Sequence, residues 1–92
     1  MDNTDGPPLD DHQYTVAGLA SYEAIYGRDF VSPGGRTTTA EMLSNLAWTP
    51  GCTALDVGCG LGGAAFMMAT QNSAQVFGLD LSKNMIDEAI RR

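Results

Sequence analysis

The sequence predicts an α/β fold: a parallel sheet with helices on both faces, preceded by a helical cap. Three observations carry this. The run Thr53-Ala54-Leu55-Asp56-Val57 is apolar around β-branched Val57 and leads into a glycine loop, Gly58-Cys59-Gly60-Leu61-Gly62-Gly63. A helix-forming segment follows, rich in Ala and Met over 63–71. A second apolar run over 74–79 then closes on Asp80, twenty residues after Gly60. Strand, glycine turn, helix and strand at that spacing form one βαβ unit, whose crossover is right-handed and whose strands run parallel.

The elements follow in order. Residues 1–11 hold Gly6-Pro7-Pro8 and the acids Asp2, Asp5, Asp10 and Asp11, the composition of a solvated, disordered leader. Residues 14–26 read as a helix, because Val16, Leu19, Ala20 and Glu23, with Tyr22, Ile25 and Tyr26, fall at spacings of three and four. Gly27 suits its C-terminal cap. Residues 28–36 read as a loop from Ser32-Pro33-Gly34-Gly35. Thr38-Thr39-Ala40-Glu41 has capping-box spacing, and Met42, Leu43, Leu46 and Ala47 extend that helix to about Trp48. Pro50-Gly51 turns the chain into the first strand. Ser82 is a good N-cap for a last helix striped with Met85, Ile86, Ala89 and Ile90. The expected organisation is a leader over 1–11, a helical cap over 12–50 and the first βαβα portion of a cofactor-binding domain over 51–92. Two strands bury little apolar area, so 92 residues read as the N-terminal portion of a longer protein.

Composition narrows the function. Eleven acids against five Lys and Arg give a net charge of −6, with no basic cluster of the kind a nucleic-acid surface needs. Cys52 and Cys59 stand seven apart, which is neither a metal nor a redox spacing. Two thiols without a disulfide framework suit a reducing, cytoplasmic setting. No run has the length of a membrane span or the layout of a signal peptide. The expected partner is a small molecule; oligomeric state is not legible.

The glycine loop satisfies the dinucleotide pattern G-x-G-x-x-G, in which Asp80 would take a ribose. It also satisfies D-x-G-x-G-x-G through Asp56, Gly58, Gly60 and Gly62. A pyrophosphate needs positive potential at the helix N-terminus, and Asp56 sets a carboxylate close to it. S-adenosylmethionine carries an ammonium and a sulfonium and no phosphate, so an acid beside the loop complements it. About fifty residues with two helices precede the strand, which suits a cap closing over that cofactor. No G-x-x-x-x-G-K-[ST] occurs, which excludes a P-loop.

This half resembles the class I S-adenosylmethionine-dependent methyltransferases, whose Rossmann-like fold the resemblance implies. Asp56-Val57-Gly58-Cys59-Gly60-Leu61-Gly62-Gly63 matches their first motif, and Val76-Phe77-Gly78-Leu79-Asp80-Leu81-Ser82 matches the segment ending at the ribose-binding acid. Ahead of it, Gln13-Tyr14, then Tyr22-Glu23-Ala24-Ile25-Tyr26-Gly27, then Phe30-Val31-Ser32-Pro33-Gly34-Gly35, resembles the cap of phosphoethanolamine N-methyltransferases. That resemblance implies transfer of methyl groups to phosphoethanolamine and its mono- and dimethyl forms, toward phosphocholine. It implies Tyr14 as the catalytic tyrosine, paired in the family with a histidine beyond the counterpart of Arg92. It places Gln13, Tyr14 and Tyr22 at the substrate, Gln13, Val31 and Ser32 against substrate or cofactor, and Gly58, Asp80 and Leu81 at the cofactor. Asp56 and Gly60 join the cofactor set from the loop motif itself. The residues leave open a glycine, sarcosine or dimethylglycine methyltransferase, a natural-product methyltransferase, or a non-catalytic cofactor-binding fragment.

Overall fold

Strands β1 (Thr53–Val57) and β2 (Gln75–Leu79) pair in parallel, with Thr53 opposite Gln75 and Val57 opposite Leu79. Helix α4 (Gly63–Gln71) makes the crossover between them and packs against β2. Ahead of the sheet lie α1 (Leu9–His12), α2 (Val16–Tyr26) and α3 (Gly35–Leu43); α5 (Lys83–Arg91) follows it. The computed structural model describes residues 9–12 and 14–92, without the side chains of Leu9 and His12. Gln13 and residues 1–8 of the leader expected over 1–11 lie outside the described residues.

The two strands, α4 and α5 stand close to their expected positions, because glycine and serine fix their ends. Ser82 caps α5 by accepting from the Met85 N–H at 3.1 Å. The strand β2 starts one residue later than expected, since the Ala74 N–H donates to the Met68 carbonyl rather than to the sheet.

The cap departs further from expectation. Asp10 and Asp11 belong to a helical turn, α1, rather than to a disordered leader. Helix α2 begins at Val16, because Thr15 turns its hydroxyl back to accept from the Gly18 N–H at 3.0 Å. Tyr14, expected within this helix, is therefore outside it. Helix α3 starts at Gly35, three residues before the capping-box Thr38, and stops at Leu43 rather than near Trp48. At that end the Ser44 hydroxyl and the Asn45 amide both donate to the Glu41 carbonyl, a local competition that unwinds a helix. The Trp48 indole N–H then donates to the Leu43 carbonyl at 2.9 Å.

A small core ties cap to sheet. Leu19 of α2, Leu61 of the glycine loop and Met85 of α5 are buried together, with Tyr14 and Val31 packed on them. On α4 the buried side chains are Met67 and Met68, while Ala69 is exposed. Of the α5 stripe only Met85 is buried, and Ile90 is exposed. Val76 and Gly78 of β2 face a cavity shared with α4 and α5. Leu55, Val57, Phe77 and Leu79 alternate with that face and are 55–74% exposed. Among the described residues, helices thus cover one sheet face, where both were expected.

Candidate cofactor and substrate site

The site forms at the carboxyl ends of the two strands, where β1 gives way to the glycine loop. The Gly58 and Cys59 N–H groups both donate to the Leu79 carbonyl, at 2.7 and 2.9 Å. This fastens the loop to the end of β2 and brings it beside Asp80. The Asp80 carboxylate accepts from the Gly60 N–H through Oδ2 and from the Ser82 N–H through Oδ1, each at 2.8 Å. The acid expected to bind a ribose is thus already oriented by two backbone donors.

Asp56 is half-buried at the end of β1. Burial, and then the charge of Asp80, push its carboxyl above the ordinary aspartate range. Burial, followed by the charges of Asp56 and Asp80, raises the Cys59 thiol as well. Two carboxylates therefore make the loop electronegative, an environment that repels phosphate and attracts a cation.

The cap closes onto this loop from the other side. Gly60 adopts φ +55°, and a Cβ there would come within 3.3 Å of both Val31 and Met85. At Gly63 a Cβ would meet the buried Phe30 ring at 2.7 Å, so the helix N-terminus and cap loop touch directly. A cavity of about 120 Å³ opens between Val31 and Ser32 on the cap side and Asp56, Gly58 and Gly60 on the loop side. Nothing stands within 4 Å of where a Cβ at Gly58 would be, so the backbone there is open to a ligand.

Tyr14 is half-buried, and its ring centroid lies 6.1 Å from that of Tyr22 in a tilted pair with an interplanar angle of 54°. The structure thus brings Val31, Ser32, Asp56, Gly58 and Gly60 around one cavity, with Asp80 bonded to Gly60. Tyr14 and Tyr22 make a second group, joined to the first through Leu61 of the shared core. Leu81 follows Asp80 in sequence, but its side chain is 79% exposed. Gln13 lies outside the described residues.

Arg36 sits over the Phe30 ring at 5.4 Å. Sequence reasoning missed Asp10, Glu23, Asn84 and Arg92, which connect cap to α5. The Tyr-Glu pair at 22–23 was visible, but no local spacing shows that Glu23 meets a guanidinium 69 residues away.

Comparison with known proteins fits this geometry. The family described as a methyltransferase domain matches residues 54–92. Phosphoethanolamine N-methyltransferase 1 of Arabidopsis thaliana is 46% identical over 84 residues, 91% of this chain. By sequence, this stretch is similar to the opening part of phosphoethanolamine N-methyltransferases. It spans 17% of the length of that Arabidopsis relative. The phosphoethanolamine N-methyltransferase of Plasmodium falciparum is 33% identical over 90 residues, covering 98% of this chain and 34% of that one. Phosphoethanolamine N-methyltransferase 2 of Haemonchus contortus has been solved in complex with phosphomonomethylethanolamine and S-adenosylhomocysteine. It superposes with a TM-score of 0.88 at 41% identity, over 91% of this chain and 20% of that one. The sheet and its helices are accordingly part of the Rossmann-like class I methyltransferase fold.

Proposed function

We propose that this chain supplies the cap and the first half of the cofactor site of an S-adenosylmethionine-dependent N-methyltransferase acting on phosphoethanolamine and its mono- and dimethyl forms. The observation that carries the reading is the pair of carboxylates at the glycine loop, Asp56 and Asp80, beneath a cap bearing the Tyr14–Tyr22 pair. Names of the relatives, and the ligands in the Haemonchus structure, support the choice of cofactor and amine.

In this reading residues 12–50 are the cap and 51–92 the opening of the cofactor domain. Asp80 holds the ribose hydroxyls, and the Gly58 and Gly60 backbone lets the nucleoside approach. Asp56 supplies negative potential for the cationic cofactor. Val31, Ser32 and Leu81 border it. Bound there, the cofactor supplies an electrophilic methyl on a sulfonium.

The residues of the chain act on the amine. Its pKa is roughly 10, close to a lysine, so at neutral pH most of it is protonated and must lose a proton before nitrogen attacks. Tyr14 orients the amine and takes part in moving that proton. Gln13 and Tyr22 line the pocket, and aromatic faces favour the quaternary ammonium of the last product. Val31 stands against Gly60, which keeps the cap loop close to the glycine loop and helps align donor and acceptor. No described helix is long and apolar enough to cross a membrane, and the two thiols without a disulfide suit the cytoplasm.

Calorimetric titration of the chain with S-adenosylhomocysteine and with NAD tests the cofactor; binding of NAD alone would sink it. Grafting these 92 residues in place of the matching stretch of the Haemonchus enzyme tests the amine. The graft is expected to methylate phosphoethanolamine with labelled methyl donor. A graft that methylates glycine or sarcosine instead would overturn the substrate.

A further inference from the structure

We propose that Asn84 is a positioning residue for Tyr14, an inference that rests on the reading of Tyr14 as the catalytic tyrosine. Helix α1 is a single turn, so carbonyls at its end have no helical N–H to accept from. The Asn84 amide fills that role across 70 residues of sequence. Its Nδ2 donates to the Tyr14 carbonyl at 2.8 Å and to the Asp10 carbonyl at 3.1 Å, which occupies both hydrogens.

The exchange is reciprocal. The Asp10 carboxylate accepts from the Ser82 hydroxyl and, at 3.0 Å, from the Lys83 N–H, one of the free donors at the start of α5. Each segment thus satisfies polar groups that the other leaves open. Two residues before this junction, Asp80 holds the glycine loop through Gly60. The backbone of Tyr14 and the proposed ribose acid are therefore mounted on the same short stretch, residues 80–84.

Tyr14 lies outside α2, so no helical hydrogen bond fixes its carbonyl. What remains is its packing on Leu19, Leu61 and Met85 and its ring contact with Tyr22. Without the Asn84 donor the half-buried Tyr14 carbonyl loses its partner, and the segment shifts to find water. A displacement near 1 Å is enough to cost roughly 100-fold in rate for a group that must meet a reacting atom.

Two variants test this. Asn84→Ala removes the amide. Asn84→Asp also removes the donor, yet places a carboxylate near the N-terminus of α5, where the helix dipole favours it, so the helix is retained. In the 92-residue chain, nuclear Overhauser contacts between the Tyr14 and Tyr22 rings should vanish in both variants. Affinity for S-adenosylhomocysteine should stay within about 3-fold, and Lys83→Ala should keep the ring contacts. In the Haemonchus graft, kcat should fall about 10- to 100-fold with a smaller change in the amine KM.

Ring contacts that persist in both variants would overturn the proposal, as would a kcat unchanged by Asn84→Ala in a graft that Tyr14→Phe disables. Cofactor affinity falling as far as kcat would mark Asn84 as merely structural and overturn it too. If Tyr14→Phe leaves turnover intact, the catalytic reading of Tyr14 fails, while the ring contacts still report whether Asn84 places that side chain.

Discussion

The two ends of α5 meet the cap by different chemistry. At the N-terminal end the contacts are short hydrogen bonds among Asp10, Ser82, the Lys83 backbone and Asn84, with the Tyr14 carbonyl among the acceptors. At the C-terminal end Arg92, the residue that caps α5, reaches Glu23 and Asp29 of the cap at 2.5 Å and Glu88 of α5 at 3.2 Å. Glu23 also accepts from the Asp29 N–H at 2.7 Å, so one guanidinium gathers α2, the loop after it and α5. Directional bonds to backbone fix one residue, whereas a charged cluster fixes a whole helix and tolerates some rotation. The first arrangement suits a group that must be aimed, the second a cap that must be held down.

The largest expected effect is at the aimed end. Tyr14→Phe in the graft should lower kcat by about 100-fold or more while leaving cofactor affinity nearly unchanged. Single-turnover kinetics with labelled donor would check it, and equal activity would remove Tyr14 from the chemistry.

Breaking the charged end should cost stability rather than alignment. Arg92→Ala leaves three carboxylates without their shared cation, and urea unfolding should show a loss of about 1–2 kcal/mol, between exposed and buried ion pairs. The Tyr14–Tyr22 contact should survive. If it disappears, the two ends are not separable.

The same end has a defined acid limit. Hydrogen bonding to Arg92, joined by the Asp29 N–H and the charges of Arg92 and Arg28, holds the Glu23 carboxyl below its ordinary 4.5 against the opposing effect of burial. A lowered folded pKa contributes stability that is complete above 4.5 and disappears as pH falls through the lower folded value. The melting temperature of the chain minus that of Glu23→Gln should therefore stay level near neutrality and shrink only below pH 4.5. A difference that grows in acid would reverse the sign and refute the ion-pair account.

Asp56 has the opposite sign. Its folded pKa is raised, so ionising it as pH rises through that value costs stability. Asp56→Asn should stabilise the ligand-free chain slightly and weaken S-adenosylmethionine binding, by thermal melts and calorimetry. The smallest change is expected at Lys83, whose exposed pair with Asp87 is screened by solvent, so Lys83→Ala should leave the thermal melt nearly unchanged.

The difference between the ends of α5 also marks what a sequence discloses. The glycine loop, the bounds of α4 and the start of α5 are legible because each depends on residues within one turn of the chain. Asp80 was placed by a count of twenty from Gly60, and its carboxylate does bond the Gly60 N–H. The spacings of three and four read as a helix from Tyr14, but spacing cannot sense that the Thr15 hydroxyl caps the helix and starts it two residues later, at Val16. Asp10 looked like a solvated acid, since its hydrogen-bond partners lie 72 and 73 residues away. Likewise Asn84 and Arg92 carry no local signature of their cap contacts. Tertiary bonds of this reach follow from the fold and cannot be read ahead of it.

The exposed row on the sheet has a consequence for the behaviour of the chain in bulk. Leu55 stands opposite Phe77 and Val57 opposite Leu79, giving two adjacent apolar cross-strand pairs. At neutral pH a net charge of −6 keeps copies apart. The isoelectric point is near 4.3, so that repulsion fades as pH falls toward it. Colloidal association through the sheet therefore grows in acid, and dilution identifies it because it depends on concentration.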